Sequence, residues 1–229
     1  MSDPMSRALD EGRDSLTEPE SKDLLAEHGI TVPEYVVAES AEEAVKGAEK
    51  LGYPVVVKVC SHLIHHKAEW GGDVGVNVGL ENAEEVRDAS ENIKRASEKE
   101  GIDVSILVEE QVDREGGTEV IVGGTRDPSF GPVLLFGLGG VFTEVLEDVS
   151  HRLAPLSEEE VYRMVNEIKG VKLLKGYRNT PPADFDNLVS TVRIVGDLLA
   201  EHSSIQEIDI NPLLAGPDGV VVLDAMVFV

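Results

Sequence analysis

Near the C-terminus, Glu207-Ile-Asp209-Ile-Asn211-Pro212-Leu213 alternates with period two, so Glu207, Asp209 and Asn211 share one face of a strand. A Gly216-Pro-Asp-Gly219 turn returns the chain as Val220-Val-Val-Leu-Asp224-Ala225, an apolar strand broken by one carboxylate. If these strands pair, Asp224 and the Glu/Asp/Asn face converge. Converging carboxylate and amide oxygens suit a hard cation that bridges nucleotide phosphates, because Mg²⁺ takes few protein oxygens and several from phosphate. The alternative is a surface hairpin with solvated acids, which fits an Asp inside Val-Val-Leu-Asp-Ala poorly.

Further upstream, Lys58 sits inside Val55-Val-Val-Lys-Val, where a charge is costly unless an anion meets it. Nucleotide phosphates are one such anion; snorkelling from an edge strand is the other reading. His65-His66-Lys67-Ala-Glu69-Trp70-Gly71-Gly72 fills a long loop between two strands. Its paired glycines permit close backbone approach and anion binding through N–H groups. Its histidines can act as metal ligands, bases or a phosphoryl acceptor, or simply stand exposed. A zinc site is disfavoured, since no other Cys or His has ligand spacing.

Ile106-Leu-Val-Glu109-Glu110-Gln111-Val112 runs from strand into connector, a place for a nucleotide base to stack and bond to backbone, with Glu119 as ribose acceptor. An ordinary strand end with solvated acids reads equally well. Phe136-Gly-Leu-Gly-Gly140-Val-Phe-Thr-Glu144 is glycine-rich but lacks dinucleotide-binding spacing, and no Gly-Lys-Ser/Thr phosphate loop is present. Arg152 precedes a proline-bounded turn and has two candidate partners, a phosphate or the neighbouring Asp148.

Composition narrows the setting. The 229 residues hold 20 Lys and Arg against 44 Asp and Glu, a formal charge of −24 that repels nucleic acid and anionic membranes. The acids are dispersed along the chain, a pattern suited to a protein kept soluble in high salt. Cys60 stands alone, so no intrachain disulfide is possible and a reducing cytoplasm is expected. No apolar run is long enough to span a bilayer, and Met1-Ser-Asp-Pro-Met-Ser-Arg has no signal-peptide character.

The elements that must position these residues follow from periodicity and caps. Residues 1–17 read as a disordered leader. Helices are expected at Glu18–His28, Ala41–Leu51 (with a Ser40/Glu43 capping box), Ala83–Glu100, Ser157–Ile168 and Asp184–His202. Strands are expected at Glu34–Ala38, Val55–Cys60, Asp73–Leu80, Ser105–Val112, Glu119–Gly124 and Val133–Gly137, before the closing hairpin. This mixture without βαβ repetition predicts an α+β fold of two subdomains, residues 18–112 and 113–229.

Taken in order, Lys58, His66-Lys67…Gly71-Gly72, Leu107-Val-Glu109, Glu119-Val-Ile-Val-Gly, Phe136-Gly-Leu-Gly-Gly, Arg152-Leu-Ala-Pro-Leu and Glu207-Ile-Asp-Ile-Asn-Pro-Leu resemble the ATP-grasp β subunit of ADP-forming acetate–CoA ligases. The resemblance runs from about Thr17 to Val229. It implies an ATP-grasp fold of two α+β subdomains with nucleotide bound between them. It implies that acyl-CoA, ADP and phosphate become a carboxylic acid, CoA and ATP, reversibly, with ATP/ADP and Mg²⁺ as cofactors. His66 aligns with the family's β-subunit phosphohistidine, and Asp209 with an acid close to that chemistry. Lys58, Glu109, Val112 and Glu119 match nucleotide-contacting positions. The related succinyl-CoA synthetase β subunit shares the Asn-Pro-Leu…Leu-Asp ending, which also points to Asn211 and Asp224 as metal ligands.

The implied partner is a CoA-binding α subunit carrying its own phosphohistidine, in an α2β2 heterotetramer. This chain departs from the family at His62, His65 and Glu69, where Pro, an apolar residue and Asp are more usual, and at Trp70, where a smaller residue is. His66 is assigned because it directly precedes Lys67. Two other readings compete: a stand-alone ATP-grasp carboxylate ligase with no need of His66, and a non-catalytic nucleotide-sensing module.

Overall fold

The structure is a computed structural model describing residues 4–140 and 148–229. Residues 141–144, the tail of the glycine-rich segment, lie outside the described residues. In chain order the elements begin with α1 (Pro4–Asp10), α2 (Glu18–Glu27), β1 (Tyr35–Ala38), α3 (Ala41–Leu51), β2 (Val55–Cys60), β3 (Val76–Leu80), α4 (Ala83–Glu100) and β4 (Ser105–Glu110). They continue with β5 (Thr118–Asp127), β6 (Gly131–Leu138), β7 (Val149–Leu153), α5 (Glu158–Glu167), α6 (Val171–Leu174), α7 (Phe185–Glu201), β8 (Glu207–Gly216), β9 (Gly219–Val222) and β10 (Ala225–Phe228).

The chain divides into two compact units. The smaller comprises Thr17–Pro19 and Pro33–Asp113; the larger comprises Met1–Leu16, Glu20–Val32 and Arg114–Val229. The division differs from the sequential split expected at 112/113. Leu24, Leu25 and Ile30 bury in the core of the larger unit, a long-range contact that no local pattern encodes.

In the smaller unit four antiparallel strands run in the order β1-β4-β2-β3. Val55, Val57 and Val59 pack with Ala44, Ala48, Val86 and Ile93 of α3 and α4, each buried Val or Ile contributing about 1.5–3 kcal/mol. Alternation sends Val56, Lys58 and Cys60 to the other face. The helix boundaries fall where the caps set them. The Ser40 hydroxyl accepts the Glu43 N–H at 3.2 Å, while the Glu43 carboxylate turns back to the Glu39 N–H at 2.9 Å. Asn82 caps α4 by accepting from Glu84 and Glu85, and left-handed Gly101 ends it.

In the larger unit the sheet order is β10-β8-β5-β6-β7, with β9 also on β8. Leu188, Val192, Val195 and Leu199 repeat at helical spacing along α7 and join Val122, Leu134, Phe136, Ile208 and Ile210 in one core. Ser157 and Glu160 close a full capping box at α5. The expected single strand Val220–Ala225 is instead two. Residues 213–216 of β8 pair with β9, residues 207–210 pair with β10, and Leu223 and Asp224 form the corner between them. Pro212 has no N–H for a ladder, and its carbonyl accepts the Leu223 N–H at 3.0 Å.

The described part of the leader expected to be disordered, residues 4–17, is ordered. Its α1 buries Met5 and Ala8, and Leu16 donates to the Val227 carbonyl at 2.8 Å while Val229 donates to that of Asp14 at 2.9 Å. This anchorage comes from the far end of the chain, so the polar local sequence gave no sign of it. The edge strand β7 and the single turn α6 were likewise not expected. Among the described residues no helix is long and apolar enough to cross a membrane.

Candidate functional site

Lys58 does not run to solvent. It is 6% exposed, and its ammonium lies 2.6 Å from Glu18 Oε1 and 2.7 Å from Glu109 Oε2. A lysine in a Val-rich strand is tolerated only with such partners, since an isolated buried charge costs many kcal/mol. Register explains the Glu109 contact. Val56 opposes Glu109 and Lys58 opposes Leu107, so the lysine and the acid are diagonal neighbours on one face. Glu18, at the start of α2, belongs to no sequence motif. It was missed because an acid in a first helical turn ordinarily reads as favourable helix-dipole chemistry. Val112 lies half-buried just beyond β4, where the connector begins.

The loop between β2 and β3 is longer than expected, because β3 begins at Val76 rather than Asp73. Ile64, Lys67 and Trp70 are buried, and between the first two His65 and His66 stand exposed. Lys67 reaches inward to lie 3.2 Å from Glu18 Oε2. The His65 ring is engaged with the His62 carbonyl at 3.0 Å, whereas the His66 ring makes no hydrogen bond or ion pair with the described residues. Gly71, Gly72 and Asp73 take positive φ in succession, at 65°, 78° and 69°. This left-handed run turns the chain back towards β3, and only glycine adopts it without cost. Gly75 fits because a Cβ there would lie 1.9 Å from the Lys67 carbonyl oxygen.

The larger unit carries the remaining candidates, mostly on one face of its sheet. Asp209 and Asn211 are exposed on β8, and Asp209 pairs across to Gly123 of β5, which pairs to Leu135. Glu119, two alternations before Gly123, shares that face and meets Arg114 at 2.8 Å. The glycine-rich turn after β6 lies against it: Gly139 donates to the Glu119 carbonyl at 2.8 Å. Asp224 is half-buried at the β9–β10 corner, and its carbonyl accepts the Asn211 N–H at 3.2 Å. Asn211 and Asp224 are therefore backbone neighbours, through a corner rather than a continuous strand.

Arg152 is not brought to this group. It opposes the fully buried Leu134, on the helix-covered face, and its guanidinium pairs with Glu167 of α5. The alternative partner Asp148 instead accepts the backbone N–H groups of Lys169 and Gly170 at 2.7 and 2.6 Å.

Among the described residues no cluster of three or more His, Cys, Asp or Glu could hold a metal alone. One carboxylate and one amide joined through backbone fit Mg²⁺, which draws most of its ligands from phosphate and water. They fit zinc poorly.

An ATP-grasp domain model matches residues 7–229. The β subunit of acetate–CoA ligase [ADP-forming] I from Pyrococcus furiosus is 42% identical over 213 residues, covering 92% of this chain and 90% of that one. A solved structure of acetyl-coenzyme A synthetase 1 from Ca. Korarchaeum cryptofilum, in complex with coenzyme A and Ca-AMPCP, superposes with TM-score 0.91 at 39% identity, covering 98% of this chain and 97% of that one. A second structure of that protein holds coenzyme A and Mg-AMPPCP, with a phosphohistidine segment pointing towards the nucleotide binding site. Its TM-score is 0.83 at 38% identity, covering 99% of this chain and 98% of that one.

Proposed function

This chain belongs to the ATP-grasp domain family, among the β subunits of ADP-forming acetate–CoA ligases, and from that premise we propose that it performs the nucleotide half of an acid–thiol ligase reaction. The overall conversion is acyl-CoA, ADP and phosphate to a carboxylic acid, CoA and ATP. The observation that carries the reading is His66: exposed, unbonded among the described residues, and set between the buried anchors Ile64 and Lys67. A histidine meant for structure would be tied down, as His65 is to His62. A carrier needs the opposite.

In the ATP-forming direction a neutral imidazole nitrogen of His66 attacks phosphorus on a donor held by the partner, and the N–P bond forms as the donor's bond to phosphorus breaks. A β-phosphate oxygen of ADP then attacks the same phosphorus, the N–P bond breaks, and the imidazole is restored. Asp209, exposed on β8, is the carboxylate we assign to this transfer. We assign Lys58, Glu109, Val112, Glu119 and the Gly71–Gly72 turn to nucleotide binding. Asn211 and Asp224 would hold Mg²⁺, which when bound neutralises phosphate charge and orients the transferred group. We leave Arg152 out of the set, because Glu167 already holds it on the helix-covered face.

The partner we infer is a CoA-binding α subunit in an α2β2 assembly, with both chains in the cytoplasm. That Cys60 is buried and is the single cysteine of the sequence supports that compartment, and the −24 formal charge supports neither nucleic acid nor anionic membrane as partner. The test is acid-labile, base-stable radiolabel on this chain after incubation with labelled ATP and Mg²⁺, mapped by peptide. Label is expected on His66, with His66→Ala abolishing turnover and His65→Ala retaining it. Label on His65, or none on this chain in an active complex, would overturn the assignment.

A further inference from the structure

The smaller unit contains a buried row of alternating charge: Lys67, Glu18, Lys58, Glu109. Its links are 3.2, 2.6 and 2.7 Å. Glu18 is the member shared by both lysines and is 1% exposed. The short stretch Thr17–Pro19 belongs to the smaller unit although the chain on either side belongs to the larger, and Glu18 is at its centre.

We propose that Glu18 is a positioning residue that couples occupancy of the nucleotide lysine to the anchoring of the phosphocarrier loop. The inference rests on the reading above, in which Lys58 meets nucleotide phosphate and His66 carries the phosphoryl group. In a low-dielectric setting a carboxylate divided between two ammonium groups binds each less tightly than it would bind one. Phosphate oxygens arriving at Lys58 compete with Glu18 for that ammonium. Glu18 is then balanced mainly by Lys67, whose neighbour in the chain is His66, so nucleotide at Lys58 tightens the base of the loop. By reciprocity, loss of Lys67 shifts Glu18 further onto Lys58, where it opposes the nucleotide more strongly. A cluster that merely neutralises charge would affect stability without this cross-talk.

A double-mutant cycle on the full chain decides between them, read as MgADP affinity by calorimetry in wild type, Glu18→Gln, Lys67→Met and the double variant. Lys67→Met is expected to weaken MgADP binding about tenfold when Glu18 is present and less than about twofold when it is Gln. Equal effects in the two backgrounds would overturn the coupling. The double variant keeps the balanced Lys58–Glu109 pair and should fold more readily than either single variant. If Glu18→Gln does not fold alone, Glu18→Asp replaces it: the shortened carboxylate cannot span both lysines, and the same non-additivity is expected. Lys58→Met is the separate control. Unchanged MgADP affinity there would refute the nucleotide role of Lys58 and the coupling with it. Weakened affinity there together with additive Glu18 and Lys67 effects would refute the coupling alone.

Discussion

Asn211 and Asp224 are joined through the backbone, the N–H of the first donating to the carbonyl of the second across 3.2 Å. Asn211 lies on β8 and Asp224 at the β9–β10 corner, and this bond and that from Leu223 N–H to the Pro212 carbonyl, at 3.0 Å, fix their relative height.

Mg²⁺-dependent nucleotide binding should therefore fail when either residue is truncated. Asn211→Ala and Asp224→Ala are each expected to weaken MgADP binding about tenfold or more while changing metal-free ADP binding little. Parallel titrations with and without Mg²⁺ check this, and an unchanged Mg²⁺ dependence in both variants removes the pair as ligands.

Gly75 offers a test of the loop that does not touch a charge. An added Cβ would meet the Lys67 carbonyl oxygen at 1.9 Å, so Gly75→Ala must displace the backbone that carries Lys67 and His66. Stability should fall by about 1–3 kcal/mol, read from the urea midpoint. Phosphorylation of His66 should drop far more than MgADP affinity. Equal losses would mean that the loop and the nucleotide lysine move as one rigid piece.

The formal charge of −24 sets an expectation about salt. At about 1 M ionic strength the screening length falls to ~3 Å, which removes most repulsion among dispersed surface acids. The thermal midpoint should rise steadily from dilute buffer to molar KCl. A maximum in dilute buffer would mark an ordinary acidic protein whose surface charges are already well separated.

The sequence alone determined the elements whose signals are local. The strand Val55–Cys60 and the helices Ala41–Leu51 and Ala83–Glu100 appear within their expected bounds, because valine runs, Ser40, Asn82 and Gly101 act on their immediate neighbours. The same is true of the alternation that puts Asp209 and Asn211 on one face, whereas the choice between burial and snorkelling for Lys58 fell to the strand order. What those residues meet was a tertiary decision. Nothing near Glu18 in the chain announces that it will sit between Lys58 and Lys67, because the contacts span 40 and 49 positions and depend on which side of a fold a three-residue stretch is drawn to. The break of the last hairpin at Asp224 is of the same kind: β8 must serve β9 with one end and β10 with the other, and only the assembled sheet imposes that corner. Periodicity tells which face a side chain takes; the partner across that face is chosen by packing at long range, where burial leaves a charge no choice but to find its counter-charge.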